Sequence, residues 1–158
     1  MTVKTLAIER TFWEKATILH VEALRASGKP TRSRYSRHYA DLAVLADQDA
    51  GRRALLRKDL RRRVVEHKQV FFAESGDPYQ TAIPGSFRLL PDKARLEELE
   101  RDYREMREMF FEEPMTWAAV VERLRSLQDE INGVVDRARG GGSGRSADHD
   151  HGKMTISI

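Results

Sequence analysis

The chain predicts a mostly α-helical bundle of about five helices, with a short N-terminal strand, an irregular stretch over residues 75–91 and a flexible C-terminal tail. Three observations carry that reading. Apolar residues recur at three- and four-residue spacing through most of the sequence up to Asn132, which lines one face of a helix. Gly76, Pro78, Pro84, Gly85 and Pro91 break that pattern repeatedly in one stretch. From Gly140 the composition changes to glycine and serine mixed with charge, which buries too little apolar surface to offset the entropy of ordering. The expected organisation is a helical domain over residues 1–139 and a flexible tail over residues 140–158.

From the N-terminus, Thr2 to Ile8 alternates apolar or β-branched residues with small or charged ones, a period that suits a short strand. The first helix is expected to open at Thr11, whose hydroxyl can cap while Glu14 reaches back, and to end near Ser27 to Pro30. Phe12, Ala16, Leu19 and Ala23 share one face, Trp13, His20 and Leu24 lie beside it, and Lys15 and Glu22 fall on a flanking stripe. Ser36 can cap a second helix in which His38, Leu42 and Leu45 line up, with Asp41 on the edge of that face, a turn after Arg37. A longer pattern runs from about Arg52 to Ala73, with Leu56, Leu60, Val64 and Phe71 as its apolar stripe. Gly76, Pro78, Pro84, Gly85 and Pro91 then interrupt the periodicity and leave at most a short strand at Ser86 to Leu90. Asp92 caps a helix carrying Leu96, Leu99, Tyr103, Met106 and Phe110, and Thr116 caps another carrying Val120, Leu124, Leu127 and Ile131.

Composition narrows the classes of function. A chain of 158 residues that is 40% hydrophobic can bury one modest core. Its 28 basic and 25 acidic residues nearly cancel, so the formal charge of +3 permits contact with phosphates without demanding it. Cysteine is absent, which excludes disulfides, thiolate zinc sites and thiol nucleophiles. No apolar run approaches the roughly 18–20 residues that span a bilayer, and the opening residues lack the regions of a signal peptide. A soluble, cytoplasmic protein without a membrane partner is expected.

The candidate chemistry starts at Lys15. An ammonium on a long stem can neutralise charge on a phosphoryl group, or it can snorkel at the rim of the apolar face, near Glu22. Asp41 can hold a metal or orient Lys15, or it can pair with Arg37 at i, i+4 for a few tenths of a kcal/mol. By residue type and spacing alone the solvated reading is the simpler one for both. His20 and His38 read as histidines at the edge of the core, since spacing fixes no second titratable partner. Residues 52–68 hold eight Lys or Arg against Asp59 and Glu66, so Arg57, Lys58, Arg61, Arg62 and Lys68 can follow a nucleic-acid backbone or simply solvate a helix. In the tail, Asp148-His149-Asp150-His151 superficially offers metal ligands, but a metal site needs fixed geometry and none is assigned there.

The stretches ERTFWEKATILH, SRHYADLAVL, VVEHKQVFF, LERDYREMREMFFEEP and LRSLQDEIN, taken in order, resemble the C-terminal half of the nucleotidyltransferase toxins of the abortive-infection AbiEii/AbiGii type, over about Val3 to Asn132. The resemblance implies a DNA-polymerase-β-like domain followed by a helical domain, with Mg²⁺-dependent transfer of a nucleotide from an NTP to an acceptor, tRNA in relatives, and an antitoxin as partner. It also implies site roles for Lys15, the lysine after the Phe-Trp-Glu run, and for Asp41, the acid of the Arg-x-x-x-Asp-Leu pattern. For these two residues it reverses the solvated reading.

The family's Gly-Ser motif and metal-binding Asp-x-Asp pair are not carried onto any residue here, because the similar letters in the tail come at the wrong end. TVKTLAI then reads as the last strand of the missing domain. The expectation is a truncated toxin, inactive alone or completed by an N-terminal nucleotidyltransferase fragment. The alternative is a non-catalytic helical module that binds tRNA or an antitoxin.

Overall fold

A computed structural model of the protein describes residues 3–25, 28–72 and 78–133. Six α-helices run through them: α1 (Val3–Leu24), α2 (Ser36–Asp47), α3 (Asp49–Leu56), α4 (Lys58–Phe72), α5 (Lys93–Met106) and α6 (Trp117–Asn132). Two 3-10 turns, Pro78–Thr81 and Arg107–Met109, complete the regular structure. α1 and α2 pack together at the centre; α3, α4 and the first 3-10 turn close on α1, while α5 and α6 close on α2. The fold is mostly α, as the periodicity predicts. Phe12, Leu19, Tyr39, Leu42, Leu99 and Leu124 are among the fully buried side chains of its core. The tail from Gly140, with its Asp-His pairs, lies outside the described residues.

The N-terminal strand is not formed. Val3 to Ile8 is the opening of α1, so the expected start at Thr11 lies inside a helix. An unpaired strand would leave its backbone groups without partners, whereas extending a helix that is already nucleated adds one bond per residue. Thr11 accordingly turns its hydroxyl back to the Ala7 carbonyl at 2.9 Å and caps nothing. Glu22, expected on the flanking stripe with Lys15, is buried. It pairs with Arg95 of α5 at 3.2 Å and with Arg25 at 3.4 Å.

α2 is not capped by Ser36 either. The capping position is Tyr35, and no side chain of the helix's own entry closes it. The carboxylate of Asp102, from α5, takes that role by accepting from the Arg34 N–H at 2.7 Å, the Ser36 N–H at 3.0 Å and the Ser36 hydroxyl. At the other end Arg123 of α6 donates to the Ala46 carbonyl at 3.1 Å and pairs with Asp47 at 2.6 Å. An anion at the N-terminus and a cation at the C-terminus both match the helix dipole. Asp92 and Thr116, by contrast, cap their own helices as expected, accepting from the N–H groups of Arg95 and Ala119.

The single helix expected over Arg52 to Ala73 is two, broken at Arg57 without glycine or proline. Trp13, arriving from α1, donates its indole N–H to the Ala54 carbonyl at 2.8 Å and so serves one of the last carbonyls of α3. The change of direction removes Leu56 from the expected stripe and leaves it 81% exposed, while Leu60 and Val64 stay buried. The side chain of Phe71 lies outside the described residues.

Ser86 to Leu90 belongs to no strand. Ser86 lies in a turn and donates its N–H to the Ile83 carbonyl at 3.2 Å, while the N–H groups around it are taken by side chains: Gly85 and Phe87 donate to Asn132 at 2.9 and 3.0 Å, Arg88 to His20 at 2.9 Å, and Leu89 to Gln128 at 2.7 Å. Phe87 and Leu89 are buried by this arrangement. His20, expected at the edge of the core, is fully enclosed. Its Nδ1 accepts from Arg88, so its Nε2 carries the proton and donates to the Pro78 carbonyl at 3.1 Å. Burial pushes the ring's pKa down and keeps it neutral.

Gly51 gives a direct test of how closely α3 approaches α2, because a Cβ there would lie 2.1 Å from the Leu45 carbonyl oxygen. Helix propensity alone makes Gly51→Ala stabilising by about 1 kcal/mol. The clash is with backbone and costs roughly 1–3 kcal/mol in overpacking. The expected net result is a lower denaturation midpoint, read by chemical unfolding.

Candidate functional site

Lys15 and Asp41 meet across the α1–α2 seam. The Lys15 ammonium donates to Asp41 Oδ2 at 3.0 Å, and the side chains are 19% and 37% exposed. Lys15 is led there by its neighbours: Phe12, Trp13 and Ala16 anchor α1 in the core, and the next position around the wheel comes out facing α2. Arg37, one turn before Asp41, approaches the same oxygen at 3.9 Å. The resemblance-based pairing and the i, i+4 pair therefore coexist on one carboxylate. A pair this accessible contributes at most about 1 kcal/mol. Its interest is chemical, as a lysine held in place and still open to solvent.

His38 lies on the same side of α2. Its Nδ1 is enclosed without a hydrogen-bond partner, and the Tyr35 ring meets it edge-on at 4.9 Å between centroids. Burial holds its pKa below the ordinary imidazole value, and the charges of Lys15, Arg37 and Lys68 act in the same sense against the opposing pull of Asp41. Lys68 reaches this neighbourhood from α4 and is itself lowered by burial, with Glu14 opposing. The cluster thus draws cations from three helices.

The other basic candidates do not act as one group. Arg57 turns inward and holds Asp59 through two hydrogen bonds of 3.0 Å, while its other arm lies 3.7 Å from the buried Glu9. Those bonds hold the Asp59 carboxyl at a pKa of about 2. Arg53 also serves Glu9, at 3.0 Å. Lys58 and Arg62 are exposed, and Arg61 is half-buried beside Arg62. Residue types and spacing did not single out His38 as part of the site, although it follows Arg37 directly. Its environment is made by α1 and α4, which local spacing does not encode.

Two surface depressions, of about 140 and 350 Å³, lie elsewhere, around Tyr103 and Trp117 and around Thr31, Glu98 and Asp102. Neither includes Lys15 or Asp41. Among the described residues no three His, Asp or Glu side chains converge as metal ligands, and Asp41 is already engaged by two cations. The described residues therefore do not by themselves make up a magnesium site. No described helix is long and apolar enough to cross a membrane.

α1 and α2 thus present a lysine–aspartate pair at their seam, bordered by Arg37 and Lys68. The model of the nucleotidyl transferase AbiEii toxin family, a type IV toxin–antitoxin system, matches residues 1–125, and the chain belongs to that family. The match includes Lys15, Asp41 and the whole basic stretch, and it ends within α6. No curated protein matches the chain, and no solved structure matches it.

Asp41 is carried by α2, which side chains of α5 and α6 hold at its two ends. Asp102→Ala removes the carboxylate at its N-terminus and is expected to lower stability by about 1–2 kcal/mol, as loss of a helix cap does. Urea unfolding of the variant beside the parent protein measures it.

Proposed function

We propose that this chain supplies the lysine–aspartate part of a nucleotidyl transfer site that acts on an RNA, with tRNA as the acceptor class. What supports the reading most is the 3.0 Å contact between Lys15 and Asp41, two residues separated by 26 positions and joined only by the fold. Lys15 would neutralise charge on a phosphoryl group, and Asp41 would hold the lysine in register until an anion competes for it. Bound magnesium would supply Lewis-acid stabilisation of the transferring phosphate. The carboxylates to hold it are not assembled by the described residues, so activity is proposed to require a segment bearing the Gly-Ser and Asp-x-Asp motifs. The family's toxin–antitoxin assignment points to an antitoxin as a further partner.

Lys58, Arg61 and Arg62 fall within one turn of α4 and support RNA contact through phosphates. Arg57 is left out of that surface, because its guanidinium is committed to Glu9 and Asp59. Lys68 belongs with the Lys15 cluster instead.

Labelled NTP, magnesium and bulk tRNA incubated with the chain, with and without a fragment bearing the missing motifs, test the catalytic reading. Label transfer is expected only with the fragment, and Lys15→Ala and Asp41→Ala are each expected to reduce it by about 100-fold. Rates unchanged in both variants would discard the assignment. For RNA contact, tRNA affinity should fall roughly tenfold for a fourfold rise in salt, the slope of about two neutralised phosphates. Lys58→Ala combined with Arg62→Ala should flatten that slope in a filter-binding titration.

A further inference from the structure

His38 is the member of the cluster to which the proposed reading assigns no task. Its surroundings are of two kinds. Lys15 from α1, Arg37 from α2 and Lys68 from α4 place positive charge around it, against the Asp41 carboxylate on α2. Glu14, the other acid on this side of α1, pairs with Arg10 at 3.0 Å and acts on Lys68. The Tyr35 ring closes the remaining side, and the enclosed Nδ1 has no acceptor or donor opposite it. In the free protein a second proton on this ring meets three cations and finds no hydrogen-bond partner at Nδ1. An anion seated against Lys15 changes the first condition: its charge offsets the cations and lowers the cost of the added proton.

We propose that His38 is a proton-linked ligand of an anion site formed with Lys15, Arg37 and Lys68, taking up a proton when a phosphate-bearing ligand binds and then helping to hold it. The inference rests on the reading of Lys15 as a phosphate-binding residue. It adds a residue and a linkage: by the linkage relation, ligand affinity rises as pH falls through the ring's titration range, because the bound state carries the extra proton. The ligand class is a compact polyanion such as the phosphate chain of a nucleotide. No hydrogen bond of Nδ1 ties His38 to Asp41.

The test uses the full chain, inorganic triphosphate as probe and no divalent metal. Calorimetric titrations at about pH 8 and about pH 6 are expected to give an affinity gain in the parent protein roughly tenfold larger than in His38→Gln, whose side chain cannot be protonated. Comparing the two proteins cancels the probe's own titration. Lys15→Ala is expected to weaken binding at both pH values. In parallel, the His38 ring signal followed by NMR in the parent protein should titrate at higher pH when triphosphate is saturating, a measurement that stands even if the Gln variant folds poorly. Equal pH dependence in parent and variant, or an unmoved ring titration, overturns the His38 proposal and leaves the Lys15 reading intact. Triphosphate binding that is absent, or indifferent to Lys15→Ala, overturns both.

Discussion

The carboxylate of Asp102 closes the N-terminus of α2 from α5, and much else in this structure depends on that contact. α2 carries no side-chain cap of its own, and it follows a turn at Arg34, an exposed non-glycine residue held at φ 62°. Asp102 accepts from both Arg34 and Ser36, which satisfies the helix and stabilises the unusual turn together. Arg123 does the converse at the C-terminus. α2 is thus positioned by α5 and α6, and Asp41 travels with it.

α1 supplies the complementary constraint. Glu9, Thr17, His20 and Glu22 are buried along it, and each is answered by a group from elsewhere or from its own helix. Glu22 meets Arg95, Glu9 meets Arg53 and Arg57, and His20 accepts from Arg88 in the segment before α5. Buried pairs of this sort add little net stability, because desolvation offsets the Coulomb attraction, yet removing one partner strands a charge. Their effect is to fix which neighbour packs where. The partly exposed Lys15–Asp41 pair adds little to stability beside them.

That division bears on mechanism. The cations near the seam differ in how far they are committed. Arg53 and Arg57 are tied to Glu9, whereas Lys15 is held by an accessible carboxylate that also meets Arg37. The family match over residues 1–125 includes both Lys15 and Asp41. Among the described residues no three metal-ligating side chains converge.

The helical class was legible in the sequence because apolar spacing of three and four residues is a local property, and the caps at Asp92 and Thr116 were legible because each closes a helix three residues away. Lys15 and Asp41 could be named as candidates from residue type and family resemblance. What local pattern did not contain were the partners that come from far along the chain: Trp13 taking the Ala54 carbonyl and breaking a helix, Asn132 and Gln128 replacing a neighbouring strand at Gly85 to Leu90, Arg95 drawing Glu22 inward. The N-terminal segment followed the same rule, since period-two alternation over a few residues yields to a continuing helix when no strand is there to pair with it. Sequence alone determined which segments can be helices and which residue types can handle phosphate. Tertiary structure decided where those helices end and which charges remain accessible, because both depend on hydrogen bonds and burial between residues separated by dozens of positions.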